Sequence, residues 1–367
     1  LRLRTLGVAD VPVQSAGAQE LAPRRTRAPA SAGPRETRLR RAAGHWSGAF
    51  RAMASPCELL IRTDDESLAR ETLRRVAAEA WRIEDKFSRY LPGNVVDAIN
   101  RSAGRAIGVD EETARLLDFA GTLYELSDGR FDISSGVLRK AWTFDGGDAV
   151  PDRDRMHELL RHVGWDKADW RRPFLRLEPG MQVDFGGIAK EYAVDSAAIL
   201  VARHTDSACL INFGGDLRAL GGEHTAGAWR VGVESPYGNS VEPARVIGLR
   251  HGALATSGDA RRYVIHDGVR YGHILDARSG WPARDAPRSV TVAAGTCSEA
   301  GMLATLAMLM GRECEAFLDA QSVRCWVARQ PRARRQGLSA TVCASCSSSP
   351  SRCASAARAD EKRASNR

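Results

Sequence analysis

Helix-like and strand-like patterns alternate irregularly through the middle of this chain, and this order constrains the fold more than any other feature. Apolar residues recur at spacings of three and four from Leu73 to Phe87, which predicts an amphipathic helix. Short apolar runs, such as 208–213 and 289–293, predict strands. Because these elements do not repeat as strand–helix–strand units, the sequence predicts an α+β fold rather than a doubly wound parallel sheet.

Local residues set the bounds of several further elements. Asp110 is expected to cap a second helix. Residues 181–185 predict a short strand, Gly186-Gly187 a turn, and residues 188–203 a helix. Asp267-Gly268, between two strand-like runs, is the pair that favours a type I′ hairpin turn.

The charge of the chain is concentrated at its two ends. Of 367 residues with a net charge of +8, residues 1–43 contain nine Arg against three acids, and residues 329–367 contain nine basic residues against two acids. Both ends lack an apolar period, so we predict disordered basic tails there and one folded domain over 44–328. That domain has 35 basic and 40 acidic residues, so it is mildly acidic. The positive net charge of the chain comes from the two ends and does not indicate that the folded domain binds nucleic acid.

Several classes of site and location are disfavoured. No run of 18 apolar residues predicts a transmembrane segment, and no apolar stretch typical of a signal peptide is visible near the start, so the compartment is left unassigned. The positions of the eight cysteines imply no disulfide framework. Neither a G-x-G-x-x-G fingerprint after a strand nor a P-loop sequence is present.

The strongest local pattern is the segment 183–190, in which a strand runs into a glycine pair and then a helix. Backbone N–H groups at such a helix start favour phosphate, and Lys190 adds a positive charge. The alternative is an ordinary tight turn between a strand and a helix.

Three further loops also place short polar side chains directly after apolar strands: residues 212–216, 255–259 and 273–276. Each alone is compatible with a turn that carries a capping Asp. Four such loops between residues 183 and 276 favour a site built from strand-end loops that binds a polyanionic small molecule.

In their order along the chain, these residues resemble the ApbE family of FAD:protein FMN transferases, and the resemblance spans about residues 47–328. The matching segments are Met53-Ala54-Ser55, Phe87-Ser88-Arg89-Tyr90, Ile99-Asn100, Gly129-Arg130-Phe131-Asp132, Val183–Lys190 with Tyr192 and Asp195, Gly214-Gly215-Asp216, Thr256-Ser257-Gly258-Asp259, His273-Ile274-Leu275-Asp276 and Ala304-Thr305.

The resemblance implies mixed sheets with flanking helices and a Mg²⁺-dependent group transfer. FAD would be split at its pyrophosphate, FMN joined through a phosphoester to a Thr or Ser of an acceptor flavoprotein domain, and AMP released. Members of this family are often periplasmic or membrane-anchored.

The resemblance also implies which residues form the site. His273 is the candidate proton acceptor, with a purely structural histidine as the alternative, and Lys190 is the second catalytic candidate. The cofactor-binding candidates, which include residues of the strand-end loops, are Met53, Tyr90, Arg130, Phe131, Asp132, Gly186, Lys190, Tyr192, Asp195, Asp216, Ser257, Ile274 and Asp276.

Two positions depart from the family pattern. The implied metal site combines the backbone carbonyl of Ala189 with Thr305 and an Asp four residues before it, where this chain has Gly301. A glycine usually follows the lysine, where this chain has Glu191. Losing a carboxylate predicts weaker Mg²⁺ binding, and Glu299, two residues from Gly301, points to another helix face.

These departures leave two alternatives to a transferase. One is a catalytically impaired FAD-binding module, motivated by the missing carboxylate at Gly301. The other is an FAD pyrophosphate hydrolase that uses water as the acceptor.

Overall fold

An eight-stranded antiparallel sheet organises this computed structural model, which describes residues 35–221, 227–237 and 243–329. The strands are β1 Arg38–Ala42, β2 His45–Ala52, β3 Ser55–Ile61, β4 Ile107–Gly108, β5 Asp169–Arg171, β6 Phe174–Arg176, β7 Cys209–Phe213, β8 Asp216–Leu220, β9 Trp229–Val233, β10 Arg245–Leu249, β11 Gly252–Gly258, β12 Tyr263–His266, β13 Val269–Gly272, β14 Leu275–Asp276, β15 Trp281–Pro282, β16 Ser289–Ala294 and β17 Arg324–Ala328. The helices are α1 Glu66–Phe87, α2 Val95–Asn100, α3 Glu111–Leu126, α4 Arg153–Leu160, α5 Ala189–His204, α6 Cys297–Leu309 and α7 Cys314–Gln321.

The main sheet has the order β1-β2-β3-β7-β8-β11-β16-β17, and each neighbouring pair is antiparallel. Further two- and three-stranded sheets lie among the described residues, and the helices fall between strands without a regular period. The predicted α+β class with mixed sheets and flanking helices is therefore confirmed.

Both faces of the central strands are covered. On β7, Cys209, Ile211 and Phe213 belong to the large core that includes α1, α5 and α6. Leu210, which points the opposite way, packs in a second cluster with Trp229 of β9. This burial on both faces explains why β7 has a continuous apolar sequence instead of an alternating one.

The predicted helices and hairpin are present. Helix α1 contains the whole 73–87 pattern, and Asp110 caps α3 by accepting a hydrogen bond from the Thr113 N–H at 2.9 Å. Asp267 and Gly268 both have positive φ, 48° and 73°, as a type I′ turn requires.

The predicted strand at 181–185 is wrong. Asn100 replaces the neighbouring strand there, because its side-chain amide accepts from the Val183 N–H at 2.7 Å and donates to the Val183 carbonyl at 3.0 Å. The Asp184 N–H donates to the Ile133 carbonyl. The backbone is thus satisfied without a ladder, and residues 185–187 form a short 3₁₀ turn before α5.

The predicted tail boundary at residue 43 also needs correction, because β1 lies inside the segment 1–43. It pairs with β2 from Arg38↔Ala49 to Ala42↔His45, and Gly44, with a φ of 74°, helps to close the hairpin. An edge strand of this kind needs backbone partners and little apolar surface, so its sequence shows no period. The remainder of both predicted tails, 1–34 and 330–367, lies outside the described residues.

No helix among the described residues is long and apolar enough to cross a membrane.

Candidate functional site

Three of the four predicted loops meet at one end of the main sheet. The Gly214 N–H donates to the Pro56 carbonyl at 3.0 Å, which joins the β7–β8 turn to β3. The Thr256 N–H donates to Asp216 Oδ1 at 3.4 Å, which joins the same turn to β11. Lys190 Nζ, from the first turn of α5, lies 2.5 Å from Asp216 Oδ2. Three of the four predicted loops are therefore in direct contact.

The Lys190–Asp216 ion pair supplies the central charge of this site. Asp216 is 2% exposed, and burial raises the pKa of its carboxyl group although the charge of Lys190 opposes that shift. Burial would lower the pKa of Lys190, but the carboxylates of Asp216 and Glu191 outweigh it and raise the pKa. Lys190 is accordingly a fixed positive charge at neutral pH and not a proton acceptor.

The glycine pair before α5 is exposed and tightly fitted. A Cβ atom on Gly187 would lie 3.0 Å from Cε2 of the Phe131 ring. The Gly186 N–H donates to Asp184 Oδ1 at 2.8 Å, whereas α5 has no side-chain cap of its own. One N–H group of the predicted phosphate site is thus already bonded, and the uncapped helix start remains.

Asp184 holds this loop through two arginines that the sequence did not identify as site residues. Its Oδ2 atom accepts from Arg89 Nη1 at 3.2 Å and from Arg139 Nε at 3.1 Å. The sequence indications were the position of Asp184, two residues before Gly186, and the place of Arg89 in the matching segment Phe87-Ser88-Arg89-Tyr90.

The predicted segment 130–132 is fixed by Asp132 and borders a cavity. Asp132 is 5% exposed and accepts hydrogen bonds from the Ser134 N–H at 2.7 Å and the Trp165 N–H at 2.8 Å. A cavity of about 320 Å³ lies beside it, lined also by Arg278. Arg130 Nη1 donates to the Ser127 carbonyl at 3.2 Å.

His273 is neutral at physiological pH. Burial lowers the pKa of His273 to about 4, and the positive charges of Arg262 and Arg139 act in the same direction. Its Nδ1 atom is shielded from solvent and makes no hydrogen bond to any described residue. A neutral imidazole with a free nitrogen has the form that a proton acceptor needs, although a pKa of about 4 makes it a weak one.

The neighbouring residues of the 273–276 loop are engaged within the protein. Ile274 packs against the main core. Asp276 accepts two hydrogen bonds from the Arg278 guanidinium, at 3.1 and 2.9 Å.

Two predicted flavin contacts on α5 also have protein partners. The Tyr192 hydroxyl donates to Glu112 Oε1 at 2.7 Å. Asp195 is buried at the N-terminus of α6, where it accepts from the N–H groups of Cys297 and Ser298 at 2.9 and 2.8 Å. It also accepts from Ser298 Oγ at 2.7 Å and Arg218 Nη1 at 2.6 Å.

Met53 and Tyr90 present apolar surface at different depths. Met53 and Ala54 form the β2–β3 turn with positive φ angles of 51° and 56°. The Met53 N–H donates to Glu84 Oε1 at 2.9 Å, a contact that the sequence did not predict. Tyr90 is 72% exposed, so its ring is available for stacking.

The residues at the implied metal positions lie between α5, α6 and β11. Ser257 Oγ and Thr305 Oγ1 are 2.8 Å apart. A Cβ atom on Gly301 would lie 2.5 Å from Cγ and 3.0 Å from Oε1 of Glu191. No group of three or more His, Cys, Asp or Glu side chains that could hold a metal occurs among the described residues. Hydroxyl and carboxylate oxygens here do fit Mg²⁺, which usually takes one or two carboxylates and completes its shell with water or substrate phosphate.

The comparisons with known proteins agree with this arrangement. The ApbE family profile matches residues 53–327, so the chain belongs to the ApbE family. The FAD:protein FMN transferase of Treponema pallidum is 34% identical over 240 residues, which are 59% of this chain and 65% of that protein. The enzyme of the same name from Klebsiella pneumoniae is 29% identical over 280 residues, 74% of this chain and 85% of that protein.

Solved structures show the same fold. The ApbE protein of Thermotoga maritima superposes with a TM-score of 0.70 at 31% identity and covers 77% of this chain and 94% of its own. The flavin transferase ApbE of Vibrio cholerae gives a TM-score of 0.65 at 25% identity, with 80% and 94% covered.

Proposed function

We propose that this chain is an FAD:protein FMN transferase. The observation that carries the proposal is Asp216, which pairs with Lys190 of α5 and accepts from the Thr256 N–H of β11, in a chain that matches the family over residues 53–327. Its similarity to transferases from T. pallidum and K. pneumoniae supports the same activity.

The proposed reaction exchanges the phosphoanhydride bond of FAD for a phosphoester bond to the acceptor. The hydroxyl oxygen of a Thr or Ser on the acceptor flavoprotein attacks the FMN phosphorus of FAD, and the bond from that phosphorus to the bridging oxygen breaks. AMP leaves with that oxygen, and His273 takes the hydroxyl proton on its free Nδ1. Lys190 offsets negative charge on the diphosphate as it develops.

We further propose that the reaction uses Mg²⁺, held near Thr305. A bound Mg²⁺ would offset the charge of the diphosphate. The uncapped start of α5 and the exposed Gly186 and Gly187 would receive phosphate oxygens, while Tyr90 and Met53 would contact a ring of FAD.

The test is a covalent-flavin assay. The purified chain is incubated with FAD, Mg²⁺ and a flavodomain that carries an acceptor Thr. We expect a fluorescent band on a denaturing gel, an acceptor mass increased by one FMN residue, and one equivalent of AMP.

A flavodomain with Thr→Val at the acceptor position, and FMN in place of FAD, are the matched controls. Intact FAD with no fluorescent band would contradict the proposal. Free FMN and AMP without labelled acceptor would instead indicate hydrolysis.

A further inference from the structure

Two carboxyl groups, those of Asp216 and Glu191, lie near Lys190 between α5, α6 and the β7–β8 turn. Lys190 is paired with Asp216, and no described residue donates a hydrogen bond to Glu191 Oε2, which is shielded from solvent. A buried carboxylate is costly unless a cation or several donors compensate it. This part of the site consequently has two carboxyl groups for one lysine.

The space for the Glu191 carboxylate exists because residue 301 has no side chain. Helices α5 and α6 pack against each other, and the missing Cβ of Gly301 would lie 2.5 Å from Glu191 Cγ. Contacts that short do not occur between real side-chain atoms, so any larger residue at 301 would displace Glu191. The glutamate on α5 and the glycine on α6 are therefore one structural feature.

Oxygen donors lie on the same side of α6. Thr305 is four residues after Gly301, which places the two on one helix face. The Thr305 hydroxyl lies 2.8 Å from Ser257 Oγ. Carboxylate and hydroxyl oxygens are the hard ligands that Mg²⁺ and Mn²⁺ prefer, and substrate phosphate can complete the coordination.

We propose that Glu191 is the carboxylate ligand of a divalent cation bound between α5 and α6, and that it replaces an aspartate at position 301. The carboxylate reaches the site from α5 instead of α6. This inference deepens the proposed function and rests on it for the role of the cation in flavin transfer. It removes the reason to regard the chain as an impaired FAD-binding module.

The first test measures cation binding, independently of catalysis, in the full chain. Mn²⁺ is titrated with and without FAD and followed by the electron paramagnetic resonance signal of free Mn²⁺. We expect Glu191→Gln, which keeps the shape and removes the charge, to weaken Mn²⁺ binding roughly tenfold or more. Glu299→Gln, which alters a carboxylate on α6 itself, is the matched control and should bind as the wild type does.

The second test exchanges the two positions. Gly301→Asp alone should lower both Mn²⁺ affinity and the unfolding temperature, because its side chain collides with Glu191. The double variant Glu191→Gly with Gly301→Asp should return Mn²⁺ affinity to within about threefold of the wild type. This variant also keeps the inference testable if a single variant fails to fold.

The outcomes separate the inference from the proposed function. Equal Mn²⁺ affinity of the wild type and Glu191→Gln would overturn the inference, since it would mean that Glu191 is merely a buried, protonated side chain. A wild type that transfers flavin but binds no Mn²⁺ would do the same while the proposed function stands. Mn²⁺ binding through Glu191 without any flavin transfer would support the inference and contradict the function.

Discussion

Glu191 and Asp195 lie one turn apart on α5, and both face α6, yet their surroundings differ. Asp195 accepts four hydrogen bonds, from two backbone N–H groups, a hydroxyl and the Arg218 guanidinium. Glu191 has an oxygen with no donor among the described residues. A saturated carboxylate stabilises the fold, whereas an unsaturated one retains capacity for a ligand. The contrast distinguishes residues that stabilise this end of the sheet from residues that have the capacity to bind a ligand there.

The largest expected effect is the loss of stability on removal of Asp195, the carboxylate whose hydrogen bonds are satisfied. Asp195→Ala leaves the Arg218 charge and the α6 N-terminus without their partner, so we expect the free energy of unfolding to fall by about 3–5 kcal/mol. Urea unfolding followed by circular dichroism measures it. Asp64→Ala, at a fully exposed carboxylate, is the control and should stay within about 0.5 kcal/mol of wild type. A stable Asp195→Ala protein with weakened FAD binding would instead favour the flavin contact implied by the family resemblance.

His273, whose Nδ1 atom is shielded from solvent and makes no hydrogen bond to any described residue, should make stability depend on pH. Its pKa is lowered from the ordinary 6.5 to about 4, so the unfolded chain binds more protons between these values. His273 contributes its full stability above pH 6.5 and loses it as the pH falls toward 4. We expect the wild type to lose up to roughly 3 kcal/mol more than His273→Gln between pH 7 and pH 4.

Urea unfolding of both proteins across this range measures the difference. If the free energy of unfolding depended on pH equally in the two proteins, His273 would titrate normally and would not be shielded from solvent as described. The pH profile of the wild-type flavin-transfer rate should also show no inflection near pH 6.5.

Lys190→Gln should reduce activity more than stability. It removes the positive charge beside Asp216, and we expect kcat/KM for flavin transfer to fall about 100-fold, as when one electrostatic contact to a transition state is lost. Lys140→Gln, at an exposed lysine, is the control. If Lys190→Gln transferred flavin at the wild-type rate but unfolded at a much lower temperature, Lys190 would be a residue that only stabilises the fold, as Asp195 is.

Local patterns predicted the elements that depend on local forces. The spacing from Leu73 to Phe87 fixed the buried face of α1, and Asp267-Gly268 determined a turn through its own φ angles. The error at 181–185 has a non-local cause: the partner of Val183 is the side chain of Asn100, 83 residues away. No local pattern contains that contact.

The site was predictable in its position but not in its bonding. The strand-end loops were predicted to form one site, and the structure brings Lys190 and Asp216 of two of these loops together, a pair that the sequence did not predict. Gly301 and Glu191 were each recognised as unusual, but separately, since 110 residues separate them in sequence and only the packing of α5 on α6 brings them together. Asp195 could not be recognised as the anchor of α6 for the same reason.

The smallest expected effect concerns backbone strain at the same end of the sheet. Ala54 is exposed and has a φ of 56°, a conformation that favours glycine. Ala54→Gly should therefore stabilise the protein by about 0.5–1 kcal/mol. Ala49→Gly, exposed in the regular part of the same hairpin, should destabilise by a similar amount because only chain entropy changes there. Thermal unfolding of the two variants measures the difference. If the unfolding temperatures of both variants shifted in the same direction, the β2–β3 turn would not be strained. The free-energy cost at the site would then come only from its unsatisfied side chains.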